Sequence, residues 1–250
     1  MNNKKSDGIK VFSHIHSKYS FDSLNDIKKI IKICRSYGAD VVIISDHNTI
    51  DGSLESLMYS NVVKIITAEE FATDVGDIIG LFIKEDIPHG NVRLSKVKYH
   101  WKDVIPHIKR NNGLVMLPHP YRSHSLLPEL IEECDIIETF NSRCLPEENR
   151  MAEELAEKYG KPTLAGSDAH FLGEIKNAYT IFKWDDIENE ESIKEMLLKA
   201  DRIINGRTTG RFNFLMSQVI KILKEKDYRT LPKLLSRYLI SFTKRRVEKK

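Results

Sequence analysis

His14 and His16 stand two residues apart at the end of an apolar run through Ile9, Val11 and Phe12, and Asp22 follows six residues later. Strand side chains alternate with a period of two, so this spacing predicts both imidazoles on one face of a strand. The device returns after Pro162-Thr163-Leu164-Ala165, where Asp168 and His170 close Gly166-Ser167-Asp168-Ala169-His170. Between them come Ser45-Asp46-His47-Asn48-Thr49, Ala68-Glu69-Glu70-Phe71 and Leu117-Pro118-His119-Pro120. Divalent cations take nitrogen and oxygen donors converging from several backbone segments, so histidines and carboxylates recurring in this way predict a multinuclear metal centre. A lone histidine would count as packing; here five of the nine sit in these motifs, and three motifs carry a carboxylate within six residues. Asp22 has a competing reading as the cap of a helix starting near Leu24. Glu70 is the expected donor of its pair, since Glu69 takes the outward parity of a strand ending at Ala68.

These residues need a scaffold that brings strand ends together. Apolar runs and breakers predict strands over 9–15, 40–45, 62–68, 78–83, 113–117, 135–140, 162–165 and 178–182. Helical patterns fall between most of them, over 24–37, 53–60, 100–111, 125–133, 146–159 and 190–200, with Gly38, Gly113 and Gly160 as stops and Pro146 as a start. Such alternation predicts an α/β barrel, whose site lies at the C-terminal ends of its strands, where every motif above is placed. Glu138 and Asn141 end a strand and are expected to shape the site. Arg122, His124 and Arg143 also follow strand ends, where an arginine fork suits a phosphate. His107 is expected at a helix surface.

Length, charge and cysteines bound the rest. The 250 residues suit one barrel-sized domain with an appendage. Cys34, Cys134 and Cys144 are odd in number and lack CxxC spacing, which excludes a disulfide framework or thiolate knuckle and leaves them as small buried hydrophobes. The polar start and the absence of any apolar run of membrane-spanning length predict a cytoplasmic protein with no transmembrane segment. The net charge of +3 divides into −8 over residues 1–201 and +11 over 202–250. An acidic body suits cations, and a basic tail suits something anionic.

The motifs His14-Ile15-His16-Ser17 with Asp22, Asp46-His47-Asn48-Thr49, Glu70, Pro118-His119-Pro120 and Gly166–His170 together resemble the polymerase and histidinol phosphatase (PHP) superfamily, in family order over roughly residues 9–183. The resemblance implies a distorted (β/α)7 barrel with two or three divalent ions at its mouth. By motif, it implies one ion held by His14, His16, Glu70 and Asp168, a second sharing Glu70 and taking His119, and a third taking Asp22, His47 and His170. His14, His16, Glu70, His119 and Asp168 form the implied catalytic set. Asp22 stands where many members have histidine. Asp77 stands where some relatives place the histidine that completes the second ion; His89 and His100 are the alternatives.

The expected activity is metal-dependent hydrolysis of small phosphomonoesters, nucleotides or short oligonucleotides. With no Gly-rich phosphate loop and no GxSxG elbow, the nucleophile is expected to be metal-activated hydroxide, on Mn, Zn or Fe. Arg122 and Arg143 are the candidate phosphate contacts. One rival is a PHP nuclease acting on longer RNA or DNA, for which the tail would supply phosphate contacts and Tyr19, Phe21, Tyr121 and Phe171 the stacking platforms. Another is a non-catalytic PHP binding module, which would be expected to have lost ligands that are kept here. The phosphoesterase domain is placed over 9–200 and a basic helical extension over 201–250. In that extension Phe212, Leu215, Val219 and Ile222 form an apolar stripe suited to packing, and Leu234, Leu235, Tyr238, Leu239 and Phe242 repeat it beyond Pro232. The extension is expected to be dispensable for a small ester.

Overall fold

The computed structural model describes residues 8–236 except 91 and 186; Tyr238, Leu239 and Phe242 lie outside them. In chain order the elements are β1 (Ile9–Ile15), α1 (Ile27–Ser36), β2 (Val41–His47), α2 (Asp51–Ser56), β3 (Lys64–Thr73), β4 (Gly76–Leu81), α3 (Trp101–Arg110), β5 (Leu114–Leu117), α4 (Pro120–Ser123), α5 (Pro128–Glu133), β6 (Ile136–Asn141), α6 (Pro146–Tyr159), β7 (Thr163–Ala169), β8 (Ala178–Phe182), α7 (Glu190–Lys199), β9 (Arg202–Gly206) and α8 (Arg211–Glu225).

Strands β1 to β7 pair in sequence order, and β1 pairs both β2 and β7, which closes a seven-stranded barrel surrounded by helices. The distortion has a clear source. β3 turns back through Thr73–Gly76 into β4, which runs antiparallel to both β3 and β5, so one βα unit is replaced by a hairpin. Outside the barrel, β8 pairs antiparallel with the first half of β1, and β9 pairs with β8. The tail read from 201 as helical therefore begins as a strand. Arg202 anchors it by donating to the carbonyls of Thr163, Leu197 and Ala200.

Alternation fills the barrel floor. Val41 and Ile43, Ile66 and Ala68, Ile79 and Leu81, Met116, Ile136 and Leu164 meet in one buried apolar cluster. Continuing the same parity along each strand leads to His47 on β2, Glu70 on β3, Glu138 on β6 and Asp168 on β7. On β4, which runs the other way, the same parity leads back to Asp77. The apolar floor thus passes into a polar mouth within a single side-chain layer.

Candidate metal centre

β1 needs more than alternation. Val11 belongs to the floor cluster, so an unbroken strand would turn His14 outward. The register slips between Phe12 and Ile15 against β2 and between Ser13 and Ile15 against β7. His14 takes φ 56° and Asp168 φ 48° at these bulges, and His119 takes φ 28° just after β5. Left-handed backbone at a non-glycine residue costs of order 1–3 kcal/mol and persists where surrounding structure over-determines it. Three predicted ligands carry that strain.

The inward side chains converge. His14 Nε2 lies 3.3 Å from Glu70 Oε2, and His16 Nε2 lies 3.4 Å from both Glu70 Oε2 and Asp168 Oδ1. His119 Nε2 is 3.1 Å from Glu70 Oε1, and His47 Nδ1 is 3.1 Å from Glu70 Oε2. Asp22 Oδ2 stands 3.0 Å from His170 Nε2 and 3.7 Å from His47 Nε2. Donor atoms fall into four mutually close groups: His16, Asp22, His47 and His170; His14, His16 and Glu70; His14, His119 and Asp168; and Glu70, Asp77 and His119. Donors bonded at about 2.1 Å to one tetrahedral ion stand about 3.4 Å apart, so these spacings suit shared cations. The donor set passes a second test. His14 Nε2, His16 Nε2, Glu70 Oε2 and Asp168 Oδ1 are buried with no hydrogen-bond partner among the described residues, an arrangement proteins avoid unless another group satisfies such atoms.

The field is set for cations. Burial pulls His14 down, but Glu138, Glu70 and Asp168 outweigh it and hold the imidazole well above its usual pKa. Burial, with His170 and His47 beside it, pushes His16 down to about 3, which keeps one ring nitrogen unprotonated at neutral pH. For Glu70 and Asp168 burial opposes ionisation, yet His47 and His14 around the first and Arg122 and His14 around the second keep both well below the usual carboxylate range. Asp22 is lowered in the same way by His170 and His47, against burial.

A further layer orients the donors. Glu138 Oε1 is 2.7 Å from His14 Nδ1, while Glu138 Oε2 accepts from the backbone N–H of His119 and from Asn141 Nδ2, each at 2.8 Å. A carboxylate on one ring nitrogen fixes which nitrogen of His14 faces the centre. The close fit requires Gly166, where an added Cβ would sit 1.6 Å from Glu138 Oε1. The shaping role expected of Glu138 and Asn141 has this geometry. Glu174 was not singled out in the sequence: its Oε2 accepts from the N–H groups of His170 and Phe171 at 2.9 and 3.0 Å. The available signal was a carboxylate three residues into the turn after Phe171, the spacing of a capping box.

Other expectations sort by placement. Asp22 is not the helix cap; Asp26 caps α1, its Oδ1 accepting from Lys29 N–H, and Asp22 lies in the loop before it. Asp77 joins Glu70 and His119, whereas His100 pairs with Asp74 at the surface and His89 belongs to none of the four groups. Glu69 points away from the centre, as expected, although β3 continues past Ala68 to Thr73. It is fully buried, and burial with neighbouring Asp86 raises its pKa. Arg122 reaches the centre, donating to Asp168 Oδ2 and placing Nη2 3.0 Å from His119 Nε2. Arg143 does not; its guanidinium is buried against Glu174 and Ser217. His124 places Nε2 2.7 Å from the carbonyl of Asp77. His107 is buried rather than exposed, its Nε2 2.9 Å from the carbonyl of Glu85. The three cysteines are free and buried. No helix among the described residues is long and apolar enough to cross a membrane.

Comparison with known proteins adds relatives to this geometry. A family model described as PHP-associated matches residues 146–201. An uncharacterized protein of Methanocaldococcus jannaschii, MJ0417, is 34% identical over 217 residues, covering 80% of this chain and 84% of its own. A second from that organism, MJ1587, is 36% identical over 149 residues, covering 54% and 82%. Among solved structures, PsfC of Pseudomonas syringae aligns with TM-score 0.57 at 14% identity, covering 85% of this chain and 97% of that one. A proposed metal-dependent phosphoesterase of Bifidobacterium adolescentis aligns with TM-score 0.54 at 16% identity, covering 75% and 95%. An amidohydrolase of Chromobacterium violaceum aligns with TM-score 0.53 at 13% identity, covering 82% and 96%. At these identities the solved structures speak to the fold.

Proposed function

The chain belongs to the PHP superfamily, and from that premise we propose that it is a metal-dependent phosphoesterase acting on small phosphomonoesters, nucleotides or short oligonucleotides. The observation that carries this reading is the ring of donors on five strand-end segments, among which His14 Nε2, His16 Nε2, Glu70 Oε2 and Asp168 Oδ1 have no hydrogen-bond partner among the described residues. His14, His16, Glu70 and Asp168 would hold one divalent ion, Glu70, Asp77 and His119 a second, and Asp22, His47 and His170 a third. Bound there, such ions supply an activated water and offset charge on the leaving oxygen. The protein's own part is to fix and focus. Glu138 orients His14, and Glu70 holds imidazoles on several sides at once. Arg122, 28% exposed at its side chain beside Asp168, is the cation placed to receive a phosphoryl oxygen.

Small substrates are favoured by the aromatics. Phe21 is stacked on His47 with ring centroids 4.8 Å apart, and Lys221 Nζ lies 4.5 Å from the same ring. Lys18 Nζ lies 5.2 Å from the centroid of the Tyr19 ring, whose hydroxyl donates to Glu55 at 2.6 Å. Neither is left as a platform for successive bases. The retained donors weigh against a non-catalytic module. The test is a panel of phosphomonoesters, nucleotides and short oligonucleotides assayed after chelation and after return of Mn²⁺, Zn²⁺ or Fe²⁺. Turnover that is lost on chelation and restored by one of these ions is expected; turnover indifferent to chelation would sink the reading.

A further inference from the structure

Helix α8 meets the mouth with a polar face. Asn213, Ser217, Lys221 and Lys224 follow one another at intervals of four, four and three, which places them on one side of the helix. Asn213 Nδ2 donates to Glu174 Oε1 at 3.1 Å, and Ser217 Oγ accepts from Arg143 Nη1 at 3.1 Å. Glu174 is the carboxylate that holds the backbone of His170. Lys224 reaches furthest. Its ammonium donates to the carbonyls of Lys18, Ser20 and Ser23 at 2.6, 2.6 and 2.9 Å, which uses all three of its donors.

Those carbonyls belong to the loop that carries Asp22. The carboxylate lies between the second and third of them in sequence, with Oδ1 accepting from Ser20 Oγ at 2.8 Å and Oδ2 facing His170 and His47. The loop has no helix or strand of its own to set its course. We propose that Lys224 is a positioning residue of the centre: by gathering three carbonyls of this loop it fixes Asp22 against His47 and His170, so that α8 completes the Asp22, His47 and His170 position. The inference rests on the metal reading above.

The experiment titrates Mn²⁺ into metal-free full-length protein, counting tightly bound ions by calorimetry and elemental analysis, for the parent and for Lys224→Met, Lys224→Arg and Leu223→Ser. Loss of an outer partner of a metal ligand typically costs about 10- to 100-fold in affinity. Lys224→Met is expected to weaken one class of sites by about that factor with its circular dichroism unchanged, Lys224→Arg to restore most of the affinity, and the exposed Leu223 variant to match the parent. In an Asp22→Ala background Lys224→Met should add nothing, because it acts through Asp22. Parent-like affinity in Lys224→Met overturns the proposal, as does uniform weakening of every site together with a fall in Tm that arginine does not rescue. A parent protein that binds no divalent ion overturns the metal reading itself, and the proposal with it.

Discussion

At the scale of single residues, the centre is built from side chains whose charge only makes sense together. Glu70 faces His14, His16, His47 and His119, so its removal leaves four imidazoles without their shared carboxylate. His14→Ala or Asp168→Ala should abolish metal-dependent hydrolysis with the circular dichroism spectrum retained, because both residues sit above the apolar floor rather than in it. Residual chelator-resistant turnover in either variant would contradict this. Glu138→Gln tests the outer layer: the side chain still fills its place, but it no longer presents a full carboxylate to His14 Nδ1. Metal affinity should fall about 10- to 100-fold while Tm moves little. Asp22 separates two readings cleanly, since Asp26 already caps α1. Asp22→His should keep substantial activity, and Asp22→Ala should not.

Elements explain which part of this was legible in sequence. The five motifs, the strands of Ile9–Ile15 and Ala178–Phe182 and the helix Pro146–Tyr159 could be read because local pattern decides them. Period-two alternation of Val41, Ile43 and His47 is visible in the chain itself. What could not be read is set by pairing between distant segments. The bulge that turns His14 inward arises where β1 pairs with β2 and β7, and the clamp on Asp22 comes from a lysine 202 positions later. Of the expected stripe on α8, Ile222 is buried and Leu215 and Val219 are half-buried, so the docking face departs from it at Phe212 and at the additional buried residues Ser217 and Ile220. Phe212 is 61% exposed. The β3–β4 hairpin offers a test of element geometry. Its register pairs Ala72 with Asp77 and Glu70 with Ile79, which brings the start of an antiparallel strand to the mouth. Asp77→Ala should therefore lose one bound ion by elemental analysis, whereas His89→Ala and His100→Ala should lose none.

Considered as a whole, the molecule separates an acidic body from a cationic tail, and the two parts of that tail carry different expectations. Ions that bind only the folded state stabilise it by about 2.7 kcal/mol at a hundredfold excess over Kd. For a chain of this size that corresponds to a Tm about 5–10 °C higher with Mn²⁺ than with chelator, measurable by calorimetry. The segment from Arg202, expected to be dispensable for a small ester, makes contacts that bear on the centre. β9 extends the sheet, and Asn213, Ser217 and Lys224 hold Glu174, Arg143 and the Asp22 loop. The segment 237–250 is a different matter, because it carries six of the tail's fourteen cations, Arg237, Lys244, Arg245, Arg246, Lys249 and Lys250, and no predicted ligand. Truncation after Gly206 should cost metal affinity and Tm together. Truncation after Ser236 should leave small-ester turnover and metal binding at the parent level while weakening binding to single-stranded RNA or DNA, with a smaller dependence on salt, since each phosphate contact removed flattens the salt slope by about 0.7 for a single strand. Equal polynucleotide binding by the two proteins, measured from low to physiological salt, would show that these charges only solvate the tail.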